Sequence, residues 1–350
     1  MAKMLGEREV VEEVSGWLKI FSDGSVDRTW TGPEQVKALL MAVPASGDNF
    51  VDGVATRDEV VEAETGVGVR IYLPETAMTT DRKLGVVVHF HGGGFCVSHA
   101  DMQMYYHFYS RLVRASNVIC VSANFRLAPE HRLPSACDDC FGVVSWLGTV
   151  ARGERDDAWL GRYADFSRCV LMGDSSGGNL VHQMALRSRA CEEELRPLCV
   201  RGGVAFHPGF VRSERSRSEA EIPSESAFLT LEMVDKFLYL SLPVGSTKDH
   251  PITNPMGPLA PSLEKLSFPR MMVAIADRDL IRDTELEYCE AMKRAGHDVE
   301  VFVSENVGHS FYMNEIAIQF DPHVARETTK LLEATDRFIN RCFNSEPLDE

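Results

Sequence analysis

Three things are scarce in this 350-residue sequence: long apolar runs, positive charge and paired cysteines. No stretch reaches about 18 uninterrupted apolar residues, the length a membrane-spanning helix needs. No apolar run near Met1 is flanked as a signal peptide requires. Both absences lead to the expectation of a soluble, cytoplasmic protein. Lys and Arg number 36 against 52 Asp and Glu, a formal net charge of −16. Nucleic acid and anionic membrane would be repelled, so neither is expected as a partner. The nine cysteines are odd in number and scattered, which reads as reduced thiols, not a disulfide framework. Cys137 and Cys140 form a CxxC, but a second such pair is lacking. Cys140 falls in helical phase with Val143, Val144 and Leu147, so the pair is expected in a core, not on a metal. There is no internal repeat and no low-complexity segment.

What is present is an alternation. At 44% hydrophobic, the chain can build one large core with an accessory layer, or two ordinary domains. Short β-branched runs at 69–74, 86–90, 118–123, 169–172, 203–206, 271–276 and 299–303 alternate with helical patterns at 102–115, 139–150, 178–191, 284–295 and 324–343. That order predicts an α/β fold with a mostly parallel sheet covered on both faces. Two segments stand outside it. Val10, Val11, Val14, Leu18 and Phe21 repeat at helical spacing near the N-terminus. The stretch 211–242 opens with a charged run, Arg212 to Glu221, expected to be mobile. It continues into an amphipathic helix bearing Met233, Val234, Phe237 and Leu240, with Thr230 as cap. The reading is a single domain, 1–350, whose helical cap, about 1–45 and 211–245, covers a core of 55–210 and 250–345 and shapes an apolar pocket.

Gly173-Asp174-Ser175-Ser176-Gly177 is a G-x-S-x-G pentapeptide between a strand pattern and a helix pattern, the context of a nucleophile elbow. His91-Gly92-Gly93-Gly94-Phe95 follows an earlier strand, upstream of the serine, as an oxyanion-hole loop should. The N–H groups of Gly93, Gly94 and Ser176 could hold the negative charge of an acyl-transfer transition state. Serine needs a base within reach, and His309, in Gly308-His309-Ser310-Phe311 after the last strand, is the candidate. His207 also follows a strand but precedes any suitable acid in the order Ser, Asp, His, and is expected to be a loop or core histidine. For the acid, Asp277, Asp279 and Asp283 all follow the strand at 271–276. Spacing alone leaves them open, since two could cap the turn and the next helix.

With these residues in place, the sequence resembles the hormone-sensitive-lipase-like group of α/β-hydrolases and, within it, plant carboxylesterases related to the gibberellin receptor. The resemblance runs almost end to end. Beside HGGGF and GDSSGGN it includes Phe125-Arg126-Leu127-Ala128-Pro129-Glu130-His131, Asp279-Leu280-Ile281-Arg282-Asp283 and Gly308-His309-Ser310-Phe311-Tyr312, together with Lys19 to Val26 and Asp249-His250-Pro251. It implies the α/β-hydrolase fold, with Asp279 as the acid, Gly93, Gly94 and Ser176 as oxyanion donors, and a cap of the N-terminal segment and the insertion after the sixth strand. Asn124-Phe125 departs from the group's usual Asp-Tyr, which is read as a packing difference. The group contains esterases, non-catalytic hormone receptors that have lost the histidine, and dehydratases or cyclases of specialised metabolites. The intact His309 and HGGGF imply a carboxylesterase acting on a small, largely apolar ester through Ser175, His309 and Asp279, with no metal or cofactor.

Overall fold

A computed structural model describes residues 8–223 and 229–344. At the N-terminus, β1 (Val10–Val14), β2 (Leu18–Phe21) and β3 (Val26–Asp27) form a small antiparallel sheet. Eight further strands form the main sheet: β4 (Val54–Glu62), β5 (Val67–Pro74), β6 (Leu84–Phe90), β7 (Ile119–Asn124), β8 (Ala164–Asp174), β9 (Val200–Phe206), β10 (Arg270–Ala276) and β11 (Val299–Ser304). Their spatial order is β11-β10-β9-β8-β6-β7-β5-β4, antiparallel at β4–β5 and β5–β7 and parallel elsewhere. The seven strands expected from the sequence are all there. The addition is β4, whose charged Arg57, Asp58 and Glu59 hide its pattern. Asp58 lies opposite Arg70 in the register and takes its guanidinium at 2.7 and 2.8 Å, which ties the edge strand to a buried arginine.

Helices Ser135–Ala151, Ser176–Ala190 and Arg282–Arg294 bury apolar residues on one face of the main sheet, and Gln103–Ser116 and Pro322–Asn344 on the other. Strands β6, β8 and β10 are sandwiched between the two layers, which is why their residues read as continuous apolar runs. Cys137 and Cys140 are buried in the first layer as free thiols, as their phase predicted.

Two expectations need correction. The stretch from Val10 to Phe21 is not helical but forms two strands. Asp23-Gly24, with Gly24 at φ +81°, closes a hairpin between β2 and β3 that a helix could not accommodate, and Val14 and Leu18 meet on neighbouring strands. That sheet buries Val14, Trp17 and Leu18 against Val97 and Phe237. Arg28 then fastens it, donating to the carbonyls of Cys96 (2.7 Å) and Ala128 (2.9 Å) and pairing with Glu130. The charged run after β9 is likewise pinned. Ser216 and Glu219 form a capping box at the helix Arg217–Glu221, Arg212 pairs with Glu287, and Arg215 pairs with Glu219 and Asp235. The charges that suggested mobility find partners on the helix Leu231–Ser241 and on the helix after β10. That first helix starts as expected, Thr230 Oγ1 accepting the Met233 N–H at 3.1 Å. Of the two segments expected as a cap, residues 1–7 and 224–228 lie outside the described residues.

Candidate active site

The elbow forms where β8 ends. Ser175 takes φ +51° and ψ −122°, rare for a residue with a side chain, and the helix Ser176–Ala190 starts at once behind it. Bonds on both sides hold the turn: the Ser175 N–H donates to the Phe206 carbonyl, and the Ser175 carbonyl accepts from Gly178 and Gly209. Gly177 is required by proximity, since a Cβ there would lie 2.0 Å from the Phe90 carbonyl oxygen.

The loop after β6 passes beside the serine. Gly93 and Gly94 have φ of +100° and +60°. A Cβ on Gly94 would sit 2.6 Å from the Phe237 Cβ, so the helix Leu231–Ser241 packs directly on this loop. Among the described residues, the N–H groups of Gly93, Gly94 and Ser176 have no acceptor within the chain, as donors kept for a ligand would not. The Phe95 N–H reaches Ser176 Oγ at 3.3 Å and ties loop to elbow.

The loops after β10 and β11 bring the other two residues together. His309 Nδ1 lies 2.5 Å from Asp279 Oδ2, and Asp279 Oδ1 accepts the Ile281 N–H at 3.1 Å. Asp279 is fully buried. Burial pushes its pKa upward, but the charge and hydrogen bond of His309, with His207 and the Ile281 N–H, outweigh it and hold the carboxyl below its ordinary range. The two aspartates that spacing could not separate from it go elsewhere. Asp283 accepts the Ser218 N–H at 2.8 Å and pairs with Arg282, and Asp277 offers its backbone carbonyl to Arg282.

Ser175, Ser176, Gly93, Gly94, His309 and Asp174 line one cleft of about 800 Å³ including its open mouth. Asp279 stands behind His309, outside the lining. The walls are apolar, with Met104 and Met313 from the main body, Trp17 from the N-terminal sheet and Val234, Phe237 and Leu238 from the helix Leu231–Ser241. No lysine or arginine lines the cleft among the described residues. Ser175 Oγ and His309 Nε2 have no hydrogen-bond partner within the described chain, which leaves the hydroxyl free to turn toward the imidazole.

Asp174 was not assigned a role from sequence. Quoted only as the variable position of the pentapeptide, it accepts the Gly92 N–H (3.1 Å) and the Tyr105 hydroxyl (3.3 Å) and contacts His89 Nε2 (3.1 Å), so it ties the glycine loop to the turn at Ser175. The departure at Asn124-Phe125 is a packing feature: Phe125 stacks on His91 at 4.1 Å, and Asn124 Oδ1 accepts the Ala100 N–H. His207 is buried and accepts the Ser310 N–H. His207, Asp279 and His309 present donor atoms within 4.8 Å of one another, a spacing that could hold a cation. Here, however, His309 Nδ1 and Asp279 Oδ2 are turned on each other, and His207 Nδ1 is taken by a backbone N–H.

Residues 87–313 match a family model described as alpha/beta hydrolase fold, and residues 32–129 match one for the carboxylesterase family. Tuliposide A-converting enzyme 1, chloroplastic, from Tulipa gesneriana is 33% identical over 88% of this chain and 74% of its own. Probable carboxylesterase 6 of Arabidopsis thaliana is 33% identical over 87% of this chain and 85% of its own. The gibberellin receptor GID1C of the same plant is 36% identical over 77% of this chain and 78% of its own. Among solved structures, the thermostable carboxylesterase EstE1 from a metagenomic library superposes with a TM-score of 0.68 at 23% identity, covering 89% of this chain and 93% of that one. At that identity it speaks to the fold. From the eight-stranded sheet, the family match across 87–313 and these plant relatives, the chain belongs to the α/β hydrolase fold family, among its carboxylesterase-like members.

Proposed function

We propose that the protein hydrolyses carboxylic esters of small, uncharged, largely apolar molecules, with Ser175 as nucleophile, His309 as general base and Asp279 as the acid that orients it. The observation that carries this reading is one constellation: a strained serine at a helix start, unengaged N–H groups beside it, and a histidine held by a buried aspartate in the same cleft. In the reaction, Ser175 Oγ attacks the ester carbonyl while His309 Nε2 takes its proton. Asp279 offsets the imidazolium charge, and the N–H groups of Gly93, Gly94 and Ser176 receive the oxyanion. His309 returns the proton to the leaving alcohol. Water, activated by the same imidazole, then releases the acid. Apolar walls without a cation favour a neutral acyl group and alcohol over charged ones. In the same reading, the N-terminal segment to about residue 45 and residues 211–245 are a cap over one domain. Trp17, Val234 and Phe237, all on the cleft wall, support it.

The alternatives are a non-catalytic hormone receptor and a dehydratase or cyclase. Hydrolysis of p-nitrophenyl acetate and butyrate by the wild type, beside Ser175→Ala and His309→Ala, separates them. Each variant is expected to lose roughly four orders of magnitude in rate. A wild type that is inert yet binds small plant metabolites would sink the esterase reading. We also place the protein in the cytoplasm, a reading supported by buried reduced thiols such as Cys137, Cys140 and Cys169, which suit a reducing compartment. The tulip relative carries a chloroplast designation, so fractionation of a tagged protein tests it.

A further inference from the structure

His207 stands directly after β9, at φ +45°, with its N–H on the Ala274 carbonyl of β10. It is fully buried. Its Nδ1 accepts the N–H of Ser310 at 2.9 Å, so its proton sits on Nε2, which has no partner among the described residues. Ser310 follows His309 and is itself in the left-handed region, at φ +56° and ψ +27°. The ring of His207 lies 5.7 Å from that of His309 and 5.8 Å from that of Phe311. One side chain thus joins the end of a central strand to the backbone beside the general base. An apolar residue of similar size would fill the space among these rings but leave the Ser310 N–H unpaired in a buried site. Burial lowers the pKa of His207 to about 3, which keeps Nδ1 available as an acceptor at neutral pH.

We propose that His207 is a positioning residue for the general base: by accepting the Ser310 N–H it sets the loop so that His309 keeps Nδ1 on Asp279 and turns Nε2 to Ser175. The inference rests on the triad reading above. His309 is held on one side by Asp279, and its backbone is anchored one residue downstream by this bond. A displacement of about 1 Å in such a group lowers turnover by up to roughly 100-fold.

The test compares His207→Phe, which keeps the ring volume and loses the acceptor, with His207→Asn, whose Oδ1 can stand where Nδ1 stood. Three quantities are read: kcat and KM on p-nitrophenyl butyrate, the rate of Ser175 inactivation by a fluorophosphonate, and the melting temperature. Expected for the Phe variant is a kcat about 30- to 100-fold lower with KM within about 3-fold, and inactivation slowed in step. The Asn variant should recover to within about 5-fold of wild type even if it melts no higher than the Phe variant. A Phe variant with wild-type kcat overturns the proposal. So do two variants whose losses are equal, or follow melting temperature alone, because that is what a merely structural role produces. Failure of the triad reading looks different: the wild type itself would neither turn over nor react with the fluorophosphonate.

Discussion

Glu285 is the buried group whose replacement should stabilise this protein. It points inward from the helix Arg282–Arg294, is fully buried, and neither carboxylate oxygen has a hydrogen-bond partner. Burial above all, then the negative charge of Asp279, pushes its pKa well above the ordinary 4.5, and Arg282 only partly offsets this. The sign follows from proton counting. Above pH 4.5 the unfolded chain gives up this proton and the folded chain keeps it. Stability contributed by the group is therefore full below that pH and falls as pH rises toward the folded-state value. One proton of difference is about 1.4 kcal/mol for each pH unit over which it persists. For a chain of this length that corresponds to about 2 °C in melting temperature per pH unit. Glu285→Gln keeps the volume and abolishes the titration, at the cost of burying an amide. Urea unfolding of both proteins at pH 5, 6 and 7 reads the effect as the difference between two otherwise matched curves. The variant should gain on the wild type as pH rises, by up to about 1.4 kcal/mol per pH unit. Parallel stability curves would refute the reasoning.

Two further outcomes follow from the same geometry. Gly94→Ala places a methyl group 2.6 Å from the root of the Phe237 side chain at a positive φ, so the oxyanion loop must move. Esterase kcat should fall about 100-fold or more, and a variant within 3-fold of wild type would remove Gly94 from the oxyanion hole. His91, His182 and His207 are each held neutral by burial, with pKa values lowered to about 3, and burial lowers that of His89 as well. Below the ordinary 6.5 the unfolded chain binds protons at these sites that the folded chain does not, so their stability is present above 6.5 and lost on acidification. The three lowered to about 3 are worth about 4 kcal/mol per pH unit between pH 6.5 and 4.5, opposed by Glu285, and an unfolding free energy that stays flat on acidification would contradict it.

The sequence by itself determined the parts governed by local pattern. Strands covered on both faces are continuous apolar runs, so seven of the eight in the main sheet were legible. The pentapeptide around Ser175 and the glycines at 92–94 declare themselves because only a bare backbone fits such turns. The helix at Leu231–Ser241 announced itself through Thr230 and its apolar stripe. Where two patterns share a spacing, the sequence misled: Val10, Val14 and Leu18 suit a helix face as well as neighbouring strands of a meander, and the Asp23-Gly24 turn was the signal that should have decided it. Isolated charges misled in a similar way, since Arg212 and Arg215 look mobile until Glu287 and Asp235 are seen beside them.

Only the tertiary structure decided which residues meet. Asp277, Asp279 and Asp283 are chemically alike and differ in which way the chain points them, and Asp279 alone reaches His309, 30 residues away. Asp174, His207 and Glu285 carry no local signature. The contacts of Asp174 with Gly92 and Tyr105, the bond from Ser310 to His207 and the burial of Glu285 near Asp279 join segments that the chain brings together only on folding. Side-chain type sets what chemistry a residue can do, and long-range packing sets which partner, charge and degree of burial it does it with.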